Sequence, residues 1–314
     1  MPNDARRHSG PSGRSRPGQR PPADGFVDVP GGRVAFRATG TPGKVPMLVI
    51  HGGPGASSCA YPTTLSDVAS TRPVVTYDQL GSGNSDRMPS VERDGVLSRF
   101  VDEVVALREE LGLDEVHLVG HSWGAAVALE YLLTANPKGV RSVTFVGPLL
   151  STPRWLEDAE RLVETLPPDA RAAIAAAKSS GKFDTPEFIA ANEVFERQFL
   201  VRTPPEQWRL PLCDSTPVRF NVALYEHMWG PSELVSTGTL RDYDRIHRQP
   251  ELRLPAMLLV GEYDEARPNT VTTYQALVPG SVVEVIPGAG HAVNVDAAAE
   301  FNVALSRFLR SVEE

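Results

Sequence analysis

The feature that most constrains this chain is a series of short, largely apolar runs. They are Met47-Leu48-Val49-Ile50, Val74-Val75-Thr76-Tyr77, Val116-His117-Leu118-Val119, Val143-Thr144-Phe145-Val146, Met257-Leu258-Leu259-Val260 and Val282-Val283-Glu284-Val285-Ile286. Such runs are too short for helices. Being apolar at successive rather than alternate positions, they call for strands covered on both faces, as in a parallel sheet. Helical stripes fall between them. Leu97, Phe100, Val101, Val104, Val105 and Leu111 recur at helical spacing before Gly112. A second helix is expected from Trp123 to about Asn136, stopping before Pro137, and a third carries Phe301, Leu305, Phe308 and Leu309. Strand and helix alternate, so the fold class is α/β with a mostly parallel central sheet flanked by helices. Ahead of the first run, Phe26–Val29 and Val34–Arg37 flank Pro30-Gly31-Gly32 and read as a hairpin.

The rhythm breaks once. Residues 151–250 contain no strand run; Arg171–Lys178 is alanine-rich and Pro186–Val201 amphipathic. A hundred residues between two strands is too long for a crossover, and a helical cap inserted over the strand ends is expected. The organisation is then a core in two parts, 26–150 and 251–314, with the cap between. Residues 1–25, rich in Ser, Gly, Pro and Arg, form an expected disordered tail. Arg6-Arg7 is followed by no apolar segment, which argues against a secretion signal. No apolar run approaches the ~18 residues of a membrane span. The net charge of -8 disfavours nucleic acid as a partner. The two cysteines, Cys59 and Cys213, are too few for a disulfide framework; free thiols in a reducing cytoplasm are expected.

Chemistry concentrates where strands end. Val116–Val119 runs into Gly120-His121-Ser122-Trp123-Gly124 and then a helix. A sharp strand-to-helix turn of this kind lifts a serine hydroxyl above the sheet, and its glycines avoid side-chain clashes. The bare pattern is common, so its flanking strand and helix carry the argument. Serine needs a base. Of seven histidines, His291 lies in Pro287-Gly288-Ala289-Gly290-His291, the loop after the last strand. The base needs a carboxylate to orient it. Gly261-Glu262-Tyr263-Asp264-Glu265 follows a strand directly; Asp264 is the choice by its offset, with Glu262 and Glu265 as competitors or solvated loop charges. The order Ser122, Asp264, His291 is that of α/β-hydrolase enzymes. Backbone amides of Trp123 and of Gly53, in His51-Gly52-Gly53-Pro54-Gly55, are the expected oxyanion donors. No metal-ligand spacing is present, no phosphate-binding glycine loop follows the first strand, and no cofactor is expected.

Several of these segments resemble the proline iminopeptidases, peptidases of the α/β-hydrolase fold. The resemblance lies in His51-Gly52-Gly53-Pro54-Gly55, Asp78-Gln79-Leu80-Gly81-Ser82-Gly83-Asn84-Ser85, Ser122-Trp123-Gly124, Met228-Trp229-Gly230-Pro231-Ser232-Glu233-Leu234 and Gly261-Glu262-Tyr263-Asp264. It spans roughly residues 26–312. One departure is His121, where the family's elbow usually carries glycine. The resemblance implies a serine aminopeptidase or amidase. Such an enzyme releases an N-terminal residue, proline or another small one, from a peptide, an amide or a natural-product intermediate. It also implies acidic cap residues that hold the substrate's free amine. Glu233 matches one; the second is expected on the helix after Ala190, where Glu193 is preferred over Glu196. A carboxylesterase or lactonase with the same triad and no amine recognition is the alternative.

Overall fold

A computed structural model of the protein describes residues 23–91, 95–215 and 220–314. The tail expected over residues 1–25 lies outside the described residues as far as residue 22. The hairpin opens the fold as β1 (Asp24–Val29) and β2 (Gly32–Gly40), paired antiparallel with Phe26 opposite Ala35. The apolar runs then become β3 (Met47–Ile50), β4 (Pro73–Tyr77), β5 (Val116–His121), β6 (Val140–Val146), β7 (Ala256–Gly261) and β8 (Val282–Ile286). They build one eight-stranded sheet in the order β1-β2-β4-β3-β5-β6-β7-β8, antiparallel as far as the β2–β4 pair and parallel from β4 onward. The chain therefore adopts the expected α/β class.

Successive residues of β3 enter different cores. Leu48 and Ile50 join Phe100, Val104, Leu107 and Trp123 on one face; Met47 and Val49 join Phe301, Leu305 and Leu309 on the other. This is why the run is apolar throughout rather than alternating. The longer helices that follow β4 and β5 are α1 (Leu97–Glu110) and α2 (Trp123–Glu130). α2 is shorter than its sequence suggests. It loosens into a wide turn over Tyr131–Ala135 and stops at Asn136, whose φ is 43°. The expectation of burial on both faces fails at β8. That strand closes the sheet edge, and Val282 and Val285 are exposed.

Between β6 and β7 the chain forms α3 (Thr152–Val163), α4 (Pro168–Ser180), α5 (Pro186–Phe199) and α6 (Val222–Met228), with no strand of the sheet among the described residues. α3 and α5 each start at a capping hydroxyl before a proline: Ser151 accepts from Arg154 N–H and Thr185 from Phe188 N–H. The segment owns an apolar cluster of Ala159, Leu166, Ile174, Phe188, Phe195, Phe199 and Leu234. After β7 come α7 (Pro268–Gln275) and α8 (Ala298–Glu313), the latter on the second core. No helix among the described residues is long and apolar enough to cross a membrane.

The cysteines correct the sequence reading. Cys59 and Cys213 form a disulfide across 154 positions, with Cα atoms 5.0 Å apart. Nothing local in the sequence joins them. They meet because the segment around Cys213 returns over the loop after β3, where Asn221 N–H also donates to the Gly55 carbonyl at 2.9 Å. The bridge removes the support that free thiols lent to a reducing compartment. Denatured protein should show no alkylatable thiol before reduction. Cys213→Ser should lower the unfolding free energy by about 2–4 kcal/mol in urea titrations; an unchanged midpoint and slope would contradict the bridge.

Candidate active site

The elbow between β5 and α2 is held by close backbone approach. Ser122 has φ 57° and ψ -120°, a left-handed conformation that costs a serine of order 1–3 kcal/mol and persists only when its surroundings enforce it. The enforcement comes from two glycines. A Cβ on Gly124 would stand 2.1 Å from the Ile50 carbonyl oxygen, and one on Gly120 would stand 2.4 Å from that of Gly124. Both obstacles are backbone and cannot swing aside. Ser122 is pinned from the next strand as well, its N–H donating to Val146 at 2.8 Å.

The glycine loop after β3 lies against this turn. A Cβ on Gly52 would meet the Ser122 Cβ at 3.1 Å, so the loop needs glycine there. Gln79 fastens the loop to the elbow. Its side-chain amide donates to the His51 carbonyl at 2.8 Å and accepts from the Trp123 indole at 2.8 Å, while its backbone N–H donates to His51 Nε2 at 3.0 Å. That last bond leaves His51 neutral, with Nδ1–H donating to Gly52. Burial pushes the His51 pKa down in the same sense. As the first residue of α2, Trp123 has an amide with no helical partner. Gly53, with φ 111°, stands in the adjoining loop.

His291 and Asp264 meet as expected. His291 Nδ1–H donates to Asp264 Oδ1 at 2.7 Å, and that oxygen also accepts from Ala266 N–H at 2.8 Å. The pair depends on Gly147, which the sequence reading passed over. A Cβ there would stand 2.7 Å from His291 Nδ1 and 2.9 Å from Asp264 Oδ2. Gly-Pro after a strand looks like any turn, and no local signal marks it. The backbone of the His291 loop is held by the inserted segment: His291 and Ala292 N–H groups donate to the Phe199 and Leu200 carbonyls, each at 2.8 Å. Burial pushes the His291 pKa down, but the Asp264 charge and hydrogen bond, helped by Glu233, more than reverse this and leave it raised above 6.5.

The acidic residues divide differently from the sequence reading. Glu262 is exposed and accepts from Gly288 N–H. Glu265 is no solvated loop charge. It is 1% exposed, neither oxygen has a hydrogen-bond partner among the described residues, and Oε1 lies 3.9 Å from His291 Nε2. Glu233 is half-buried and accepts from the Tyr225 hydroxyl at 2.5 Å. On α5 the preference for Glu193 is corrected: Glu193 is exposed, whereas Glu196 is half-buried and accepts from Asn192 at 2.7 Å. Burial raises the pKa of Glu233, Glu196 and Glu265, and each of Glu233 and Glu265 is pushed further up by neighbouring carboxylates. The aromatic wall was missed too. Trp155 stands edge-on to His291 at 5.4 Å and to Trp229 at 6.0 Å, its indole N–H buried without a partner among the described residues.

A serine on a strained turn, a histidine oriented by a buried aspartate and a glycine loop beside them define the hydrolase class built on this sheet. The comparisons agree. Residues 45–298 match the α/β-hydrolase-fold family. The proline iminopeptidase of Heyndrickxia coagulans is 39% identical over 292 residues, which cover 92% of this chain and 99% of that one. The crystal structure of VinJ superimposes with a TM-score of 0.85 at 31% identity, covering 93% of this chain and 99% of that one. The proline iminopeptidase of Mycobacterium smegmatis gives 0.81 at 28% identity, covering 92% and 98%. The chain is a hydrolase, and it belongs to the proline iminopeptidase family.

A base is active only when deprotonated, and the His291 pKa is raised above 6.5. Phosphonylation of the protein by a fluorophosphonate should therefore decline on the acid side with a midpoint above 6.5, and Asp264→Asn should move that midpoint down. A wild-type midpoint at or below 6.5 would contradict the reading of the His291–Asp264 pair.

Proposed function

We propose that this protein is a serine aminopeptidase or amidase that releases an N-terminal residue carrying a free amine, with proline the first substrate to test. Ser122 Oγ attacks the carbonyl of that residue while His291 Nε2 takes the hydroxyl proton. The Trp123 and Gly53 amides receive the oxyanion. His291 then passes its proton to the departing amine, leaving an acyl-enzyme on Ser122. Water, deprotonated by the same nitrogen, releases the amino acid. Asp264 steadies the imidazolium through the hydrogen bond it accepts from Nδ1.

The observation that carries this reading is the Glu265 carboxylate, sealed from solvent, without hydrogen bonds among the described residues and 3.9 Å from His291 Nε2. A buried acid with no partner is costly to keep. An ammonium group on the substrate would supply the missing partner beside the reacting carbon. Glu233 and Glu196 add to the same negative field, since each perturbs Glu265. A plain esterase has no use for such a cluster. The relatives named proline iminopeptidase support the same substrate class. The segment from α3 to α6 serves as the cap that closes this pocket.

Aminoacyl-nitroanilides, with proline and small residues compared, test the reading directly. Ser122→Ala should abolish release of the chromophore. Glu265→Gln should lower kcat/KM for free-amine substrates about 10- to 100-fold, the worth of a charged hydrogen bond, and affect N-blocked esters less than about threefold. Equal losses on both would remove the amine role and favour the esterase. Stability should move the other way. A folded carboxyl whose pKa is raised contributes stability below its unfolded value that is lost as pH rises toward the folded one. Glu265→Gln should therefore raise Tm, and the gain should grow with pH. KM for free-amine substrates should rise as pH falls through the raised range of the three carboxylates, because the amine needs them ionised.

A further inference from the structure

His121 stands where the family's elbow usually carries glycine, and it is 9% exposed. Its ring is committed at both nitrogens. Nε2 lies 3.0 Å from the backbone carbonyl of His291, and Nδ1 lies 2.8 Å from the Tyr61 hydroxyl. A carbonyl oxygen only accepts, so the proton must sit on Nε2. Nδ1 is then bare and accepts from Tyr61 O–H. The two imidazoles of His121 and His291 are 4.8 Å apart and tilted by 37°. One side chain thus joins the nucleophile's own neighbour to the backbone and the ring of the base.

We propose that His121 is a positioning residue for the base: it holds the His291 carbonyl and backs the His291 ring, with Tyr61 fixing its tautomer. The inference rests on the hydrolytic reading of Ser122 and His291, and it concerns their alignment rather than the substrate. The position next to Ser122 couples both partners. Any shift of the elbow is transmitted to the His291 loop, and the reverse. The backbone of that loop is held elsewhere by the Phe199 and Leu200 carbonyls of the inserted segment, by Tyr263 N–H on the Ala289 carbonyl and by the Asp296 carboxylate on Gly290 N–H, and the His291 carbonyl also accepts from Val293 N–H. His121 adds the side-chain tie that runs from His291 itself to the strand bearing Ser122.

The electrostatics suit that role. A second imidazole beside the base would oppose the cation formed on His291 if it too became charged. Burial, together with the nearby His291 and His51, pushes the His121 pKa down to about 3, so the ring stays neutral. The groups facing it are His291, His51 and Tyr61. Burial raises the Tyr61 hydroxyl far above its ordinary value, which keeps it a donor.

Replacing His121 separates alignment from architecture. Glutamine places an amide N–H where Nε2 stands and reaches the carbonyl; asparagine reaches only as far as Nδ1. His121→Ala should lower kcat and the rate of fluorophosphonate labelling about 10- to 100-fold, in line with the ~10²-fold cost of about 1 Å of misplacement. KM should change by less than about threefold, since the amine site is untouched. His121→Gln should recover most of the labelling rate, His121→Asn little of it, and Tyr61→Phe should lie between. Labelling of His121→Ala at the wild-type rate would overturn the proposal. So would equal rates for the glutamine and asparagine variants at matched Tm, a comparison that stands even if the alanine variant does not fold. Labelling needs no amine. Failure of the aminopeptidase reading would show separately, as wild-type protein that is labelled at Ser122 but releases no nitroaniline.

Discussion

The backbone crossing at Gly120, Ser122 and Gly124 is the constraint on which the rest of the site depends. β5 ends, turns through a left-handed serine and re-enters as α2 within van der Waals contact of β3. Contact this close is possible only without side chains at the two glycines. It fixes more than the hydroxyl. The Trp123 amide is aimed by the same turn, and the Trp123 indole reaches Gln79, which in turn carries the glycine loop after β3. Ser122, the Trp123 amide and the glycine loop are thus set by one local geometry, whose strain is offset by the burial of Trp123 and its neighbours in α2.

The opposite half of the site is organised by charge. Asp264 is buried but well served by hydrogen bonds from His291 and Ala266. Its neighbour Glu265 is equally buried and has none among the described residues. Two adjacent acids with contrasting satisfaction suit the two proposed roles, one beside the imidazole and one facing a cation. Their separation in kind follows from environment rather than residue type, since both are carboxylates on one loop.

How much of this was legible differs residue by residue. The sheet was readable because double-faced burial forces largely apolar runs, and β8 escaped because at the sheet edge Val282 and Val285, which alternation puts on opposite faces, both stay exposed. Ser122, Asp264 and His291 could be singled out because each follows a strand at a loop of distinctive composition, and the meeting of His291 with Asp264 follows from that placement. Glu196 was readable in principle. With Phe188, Ala191, Phe195 and Phe199 as the apolar face of α5, Glu193 falls about 160° from Phe195 and Glu196 about 100°, at 100° per residue. Periodicity alone would have turned Glu193 outward. Gly147, the Cys59–Cys213 bridge and the Tyr61–His121–His291 chain were not legible. Each joins segments distant in sequence, and nothing local to either partner announces the other.

The inserted segment is more than a lid laid on a finished site. The carbonyls at the end of α5 accept from the backbone of His291 and the residue after it, so the base loop is completed by chain from outside the core. Glu196 lies one turn before that contact, and Glu233 follows α6 on the same segment. Part of the support of the His291 loop and part of the negative field around Glu265 therefore come from the same body. A displacement of α5 would loosen His291 and carry off Glu196 together. Two of the three clustered carboxylates, Glu196 and Glu233, are thus carried by the segment that also holds the His291 loop, while Glu265 stays with the core. The core keeps its own hold on the same loop, through Tyr263 N–H on the Ala289 carbonyl after β7 and through the His121 imidazole on the His291 carbonyl from β5.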